Sequence, residues 1–290
     1  MPTPPGPPTV RLRRLAAELS SLRAEAQLTR EQVEEQTGVN QGTLWRLEKG
    51  RAKPQSGTLE TLFDLYGVPQ RRRTELIELA RDAKSPGWLG PYRVHADEIS
   101  AGYSTYMSFE AEASTLHNFE ALLIPGLLQT PEYARASLLD VVPIPEERIE
   151  QLVRVRAERQ AILTRPAPGR EEPVQFWAVM DEAALRREVG GRAVMRAQLR
   201  RLLELSERPN INLQVIPFDK GAHPGMIGSF IRLGFGNAAP DLICEERWAG
   251  NLFLEKESEV ERYGIVFDTL RAMALGPRDT IAMIAGLVAQ

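Results

Sequence analysis

Three glycines do most to limit what the first part of this chain can become. Gly38, Gly50 and Gly67 each follow a short stretch with one apolar stripe, and each stands where a helix has to end. Leu12, Leu15, Leu19 and Leu22 precede them at three- and four-residue spacing, which puts all four on one helical face. Thr29 followed by Gln32 forms a capping box that opens a second helix with Val33 inward, and Thr37-Gly38 stops it. Asn40 caps a third helix with Leu44 and Leu47 inward. Leu59, Leu62, Phe63 and Tyr66 mark a fourth after the "KPQSG" break, and a fifth runs from about 69 to 83. Short amphipathic helices hold only when packed together, so residues 10–83 are expected to form an all-α domain of five helices.

The remainder reads differently. "KSPGWLGPYR" carries two prolines and two glycines without periodicity, so residues 84–96 are expected to be a linker. Beyond it, helical and strand patterns mix: a helix with Tyr103, Tyr106 and Glu110, a strand in "STLHNFEALLIP", a helix opening at Thr130-Pro131 and a longer one over 146–163. A strand at 174–180 and two helices to about Ser206 follow, then β-type runs in "INLQVIPF", "GSFIRLGF" and "DLICEERW", and two closing helices. Residues 97–290 are expected to be one α+β domain with a mixed or antiparallel sheet. Residues 1–9 are a proline-rich tail without the features of a signal peptide.

The chain of 290 residues is 43% hydrophobic and 26% charged, with no window of eighteen apolar residues, so a globular protein without a membrane span is expected. A single cysteine, Cys244, excludes an internal disulfide framework, and His95, His117 and His223 are too scattered for a zinc motif. The expectation is a cytoplasmic protein without metal or cofactor. Neither a P-loop, a nucleophile elbow nor a metalloprotease motif occurs, and no enzyme is expected. Residues 1–84 hold 14 Lys and Arg against 11 Asp and Glu, while the rest holds 22 against 28. The mild positive excess therefore sits with the five helices.

Within that basic part, "GVNQGTLWRLEKGRAKP" has two short helices on either side of a glycine turn, the layout of a helix-turn-helix. The second helix of such a motif presents its first turns to base edges in the major groove. Gln41 suits adenine, Arg46 suits guanine or a phosphate, and Gly42 would let the helix start approach closely. Asn40 and Thr43 suit phosphate, Lys49, Arg51 and Lys53 follow where a backbone strand would run, and Arg30 suits the other edge of the groove. "LTREQVEEQTGVNQGTLWRLEKGRAKP" resembles the lambda-repressor-like, xenobiotic-response-element helix-turn-helix family. Leu28-Thr29, Gly38, Leu47-Glu48, Gly50 and Pro54 carry the match. The chain departs from that family at Glu34, where it has Ala, and at Thr37, where it is apolar. Either the helix crossing shifts or Glu34 keeps its carboxylate in water. The resemblance implies binding to a double-stranded DNA operator, and modules of this type bind half-sites as dimers, so a homodimer is expected.

"YMSFEAEASTLHNFEALLIPGLLQTPEYARA" and the stretch from "DEAALRREVGG" to "NINLQVIPF" resemble the effector domain of actinobacterial WhiJ-like regulators, described as antitoxin-like. The resemblance implies a small partner protein encoded nearby. The candidate partner or ligand residues are Tyr103, Tyr106, Glu110, Pro125, Gly126, Gln129 and His223. For each, packing competes with function: Tyr103, Tyr106 and Glu110 share one helical face that would pack on the sheet. "IPGLLQT" reads equally as a buried corner with Leu127 and Leu128 inward and Thr130 as cap. "KGAHPGMIGS" has the composition of a loop that could cover a site, and Cys244 reads as a buried, inert thiol. Arg154, Arg156, Arg159 and "LRRLLELSER" read as solvated faces. Two functions remain: a DNA-binding regulator modulated through its second domain, or an antitoxin that sequesters a toxic partner and regulates its own operon.

Overall fold

A computed structural model describes residues 9–82, 101–141, 145–166, 170–236, 239–247 and 250–290. The expected linker at 84–96 and nearly all of the expected tail lie outside the described residues. The chain divides into two compact units, Met1–Val94 together with Phe235–Pro240, and His95–Gly234 together with Asp241–Gln290.

The first unit contains the five expected helices: α1 Val10–Glu25, α2 Arg30–Thr37, α3 Gln41–Glu48, α4 Ser56–Leu65 and α5 Gln70–Asp82. Local chemistry sets their ends. Thr29 Oγ1 accepts from the Gln32 amide at 3.3 Å while Gln32 Oε1 accepts from the Thr29 amide at 2.8 Å, so the capping box is reciprocal. Gly38 closes α2 with φ 71°, and its amide donates to the Glu34 carbonyl at 2.8 Å. That left-handed conformation strains any residue with a Cβ. The apolar stripes meet in one core of Leu15, Leu19, Val33, Leu44, Leu47, Leu59, Leu62, Phe63 and Leu76, with Val68 beside them.

The second unit is α+β. Its elements are α6 Ala101–Glu112, β1 Thr115–Glu120, α7 Pro131–Val141, α8 Glu146–Arg159, β2 Gln175–Asp181, α9 Glu182–Arg186, α10 Arg192–Ser206 and β3 Ile211–Ile216. β4 Phe230–Gly234, β5 Leu242–Glu245, β6 Leu252–Leu254, α11 Glu257–Met273 and α12 Pro277–Ala289 complete it. The six strands form one mixed sheet in the order β3-β2-β1-β4-β5-β6. β1, β2 and β3 run parallel, as strands joined by helical crossovers must, and β4, β5 and β6 add antiparallel on the other side of β1. Two details differ from expectation. The first strand ends at Glu120 rather than reaching Pro125, because the chain turns off into a single 3-10 turn, Gly126–Leu128. The three-residue β6 is too short to show an alternation in sequence.

Strand alternation gives the sheet two different faces. Phe119 packs with Val179, Ile216, Phe230, Ile243, Val260, Phe267 and Leu270, and His117 stacks on Phe267 with ring centroids 4.8 Å apart, so this face is covered by α11. On the opposite face the pairing places Asn118, Ile231 and Cys244 in one row, and Phe253 continues it to meet Phe109 of α6 edge-on. No single helix among the described residues is long and apolar enough to cross a membrane. α11 and α12 reach that measure only as a pair bent by 65°, and α11 buries Val260, Phe267 and Leu270 in the protein.

Replacing Gly38 by Ala is expected to cost about 1–2 kcal/mol, because the left-handed turn is retained at the expense of a Cβ clash with its own backbone. Urea denaturation of the full-length chain beside the parent, followed by far-ultraviolet circular dichroism, measures it.

Candidate functional site

The turn between α2 and α3 is held by side-chain hydrogen bonds as well as by Val39, which packs on the core. Asn40 uses its whole amide: Oδ1 accepts the Gly42 amide at 2.9 Å and caps α3, while Nδ2 donates to Glu34 Oε1 at 2.9 Å. Glu34 is half-buried, so its departure from the family pattern has a partner in the structure. Thr37 Oγ1 donates to the Val33 carbonyl at 2.6 Å and accepts the Val39 amide at 3.1 Å, closing the turn from inside. A Cβ at Gly42 would stand 3.1 Å from the Asn40 cap oxygen, so this glycine protects the cap. Asn40, expected at phosphate, is thus engaged in the turn, and Thr43 accepts a hydrogen bond from Arg46 Nη2 at 3.0 Å.

Glu48 has the opposite character. Its side chain is only 1% exposed, and it takes Arg23 (Nε to Oε1, 2.5 Å) and Arg30 (Nη2 to Oε2, 2.6 Å) together. Arg30, expected at the edge of a DNA groove, therefore ties α2 to α3. The remaining cations of this surface are unlike it. Arg46, Lys49, Arg51 and Lys53 are all exposed, and among the described residues none has an acidic partner. The turn after α3 folds back on the helix, with the Arg51 amide donating to the Arg46 carbonyl at 2.7 Å. Arg51 lies over the Trp45 ring, 5.0 Å from its centroid, and Trp45 is 38% exposed. Trp45 shares an open groove with Gln41, Gly42, Thr29 and Arg30. Trp45 was not among the expected site residues; a large aromatic beside the candidate base readers, outside the Leu44 and Leu47 stripe, was the available signal.

The second unit holds a cavity of about 320 Å³ at the carboxyl end of β1. Its wall brings together Tyr103, Tyr106, Gly126 and Gln129 of the expected residues. Glu110 stands behind them with a side chain 1% exposed, and Arg159, 4% exposed, binds it through both carboxylate oxygens at 2.8 and 2.7 Å. The Tyr106 hydroxyl donates to Glu110 Oε2 at 2.6 Å, Arg159 also donates to the Tyr103 hydroxyl, and the guanidinium lies 5.1 and 5.2 Å from the two tyrosine ring centroids. The shared face of α6 is therefore a buried polar cluster, not a sheet contact. Burial works against the Arg159 charge, but Glu110 outweighs it and holds the guanidinium well above its ordinary range. Burial, reinforced by Glu110, likewise pushes the Tyr106 phenol up.

Two expectations need correction here, the solvated arginines and His223 at the site, while the buried-corner reading of "IPGLLQT" agrees with the structure. Arg159 is buried and Arg156 donates to Gln129 Oε1 at 2.6 Å, so of the three arginines read as solvated only Arg154 is exposed. "IPGLLQT" is a buried corner whose polar groups are met internally. Gln129 Nε2 donates to the Ile124 carbonyl at 2.7 Å, Gln198 receives the Thr130 amide at 2.7 Å, and Pro125 heads the 3-10 turn. His223 does not reach the cavity: its Nε2 lies 3.0 Å from Asp181 Oδ2, and only Ser229 of its loop lines the wall. Cys244 forms part of the floor, and burial pushes its thiol up, away from the reactive thiolate.

Glu120, the last residue of β1, was not foreseen. It lines the cavity, and burial, with Glu246 adding repulsion, pushes its carboxyl up to about 7 despite hydrogen bonds from Ser229 and Asn118 and the positive charge of Arg156.

A helix-turn-helix domain model matches residues 14–76, so the first unit is a helix-turn-helix DNA-binding domain of the kind found in regulators. Residues 103–286, more than half the chain, match the family described as Domain of unknown function (DUF5753), and the chain belongs to that family. No curated protein and no solved structure matches it.

Glu120 is neutral in the folded protein at pH values where it ionises in the unfolded chain, so its contribution to stability is whole below about 4.5 and is lost as pH rises through about 7. Glu120→Gln is accordingly expected to gain on the parent by about 2 kcal/mol between pH 5 and pH 8, a gain that paired denaturation curves at the two values would show.

Proposed function

We propose that this protein is a non-enzymatic, sequence-specific transcriptional regulator that reads an operator with α3 and is modulated through the cavity-bearing unit. It works in the cytoplasm as a homodimer, each copy reading one half-site of a double-stranded operator about one helical turn apart. The observation that carries the reading is the sorting of charge around α3. Arg23 and Arg30 share the buried carboxylate of Glu48, while Arg46, Lys49, Arg51 and Lys53 are left exposed without an acidic partner among the described residues. Unpaired cations on one rim attract the phosphate backbone, and the amide and guanidinium of the first turns supply base readout. This agrees with the xenobiotic-response-element resemblance of the first unit and with the effector character implied by the WhiJ-like resemblance of the second.

The effector is a ligand in the cavity or a small partner protein. A partner protein is favoured by a separate feature: Phe218, Met226 and Ile227, on the two 3-10 turns after β3, are 56%, 70% and 97% exposed. Large apolar side chains gathered at a surface mark contact sites. The antitoxin reading needs that partner to be toxic; a neighbouring small gene that arrests growth when expressed alone would support it, and harmless expression would remove it.

Fluorescence anisotropy at fixed salt, comparing the gene's upstream region with scrambled DNA, tests the operator reading. Gln41→Ala and Arg46→Ala are each expected to cost about 1–3 kcal/mol on the upstream site and much less on scrambled DNA. Equal weak binding to both DNAs, untouched by either substitution, would overturn it.

A further inference from the structure

The cavity at the end of β1 has an unbalanced set of charges. Of its ionisable lining, Arg159 is already matched by Glu110, and Arg156 is a single cation held on Gln129. Two carboxylates remain, Glu120 in the wall and Glu246 at the rim; among the described residues neither forms an ion pair, and Arg156 acts on Glu120 only at longer range. The rest of the wall is apolar or neutral: Leu122, Ile124, Leu138 and Ile231 supply apolar surface, and the Asn118 amide and the Ser229 hydroxyl stand next to Glu120. A volume of about 320 Å³ lies at the lower end of ligand pockets, large enough for a small organic molecule and too small for a helix or a folded partner.

We propose that this cavity binds a small organic amine, its ammonium held between Glu120 and Glu246 and its carbon body laid against Leu122, Ile124, Leu138 and Ile231. Three features argue for a cation. An ammonium entering a partly enclosed, mostly apolar site needs acceptors of opposite charge there, and once Glu120 ionises it and Glu246 outnumber Arg156, the one lining cation without a carboxylate partner among the described residues. A carboxylate offers only acceptors once ionised, which matches the donor-only chemistry of an ammonium. Glu120 sits on a strand end and accepts from neighbours on β1 and just before β4, so its head is positioned by backbone elements rather than by a mobile loop. The raised carboxyl of Glu120 is consistent with this: below about pH 7 the group is protonated while the site is empty, and it ionises when an ammonium arrives, releasing a proton to solvent.

The inference takes up the effector site of the proposed function and names the chemistry of its ligand. The test uses full-length protein without DNA and matched probe triples. Each triple has one body, phenethyl, indol-3-ylethyl or n-hexyl, with an ammonium, a hydroxyl or a carboxylate head. Binding is read by melting temperature and titration calorimetry. An ammonium probe is expected to bind saturably, about tenfold or more tighter than its hydroxyl and carboxylate counterparts. In Glu120→Gln and in Glu246→Gln that preference should fall toward unity while the hydroxyl probes are unchanged. Glu246 is exposed, so its variant separates loss of the site from loss of the fold. No binding by any ammonium probe, tighter binding of the carboxylates, or a preference that survives both substitutions would overturn the proposal. Because no DNA is present, each of these outcomes leaves the operator-reading result standing by itself, and a failed operator assay leaves the amine result standing.

Discussion

Burying a carboxylate and a guanidinium costs several kcal/mol for each ion before their attraction is counted. Glu110 and Arg159 recover that cost because their own charged atoms are engaged by each other and by the two tyrosines. Arg159 is bidentate on Glu110, the Tyr106 hydroxyl takes a further carboxylate position, and both tyrosine rings lie against the guanidinium. The net stabilisation of such a cluster is small, but the penalty for assembling it wrongly is not. A slip of α6 by one residue would carry Glu110 off its face and leave a buried arginine unmatched. The cluster therefore fixes which sides of α6 and α8 meet, and with them one wall of the cavity.

The first unit uses the same device for a different end. Glu48 is as deeply buried as Glu110, yet it serves two arginines from two other helices, joining the ends of α1 and α2 to the end of α3. This has an electrostatic consequence as well as a mechanical one. The family motif that carries Leu47-Glu48 and Gly50 turns its acid inward, so no carboxylate of α3 faces the side on which Arg46 and Arg51 stand. A single buried glutamate thus both sets the helix angle and keeps the outer rim positive.

What was legible in the sequence divides by distance along the chain. Capping boxes, the Gly38 stop and the Asn40 cap are satisfied within about four residues, and all were readable. The mixed sheet was foreseen as a class, because strand and helix periods alternate, but its order follows from pairings no local pattern encodes. The buried clusters were illegible for the same reason. Glu48 and Arg23 are 25 residues apart, Glu110 and Arg159 are 49 apart, and Arg159 sits in a run of charges that looks like any solvated helix face. Glu34 is instructive in the other direction: it looked like a fault in a family pattern, and it is the acceptor that completes the Asn40 amide.

The position of Glu120 connects topology to chemistry. β1 is the strand at which the sheet changes character, with the crossover to parallel β2 leaving on one side and antiparallel β4 entering on the other. Chains that depart in opposite directions from one strand end cannot pack against each other, and the crevice between them is where open α/β sheets bind ligands. Here the strand's last residue is an acid, and β4 and β5, both on the antiparallel side of β1, bring Ser229, Ile231, Cys244 and Glu246 to the same place. The sheet thus delivers a half-buried carboxylate to the cavity at the carboxyl end of β1. A ligand lodged there can alter DNA affinity only by as much as its own affinity differs between the DNA-bound and free states, a coupling typically of about 1–3 kcal/mol. The energy to be redirected is of that same order, since moving a buried carboxyl from its protonated to its ionised form changes its interaction with every neighbour in the wall. An effector that ionises Glu120 would therefore act on the cavity wall as a charge switch, with α6 and α8, pinned to each other through Glu110 and Arg159, as the rigid frame against which the change is registered.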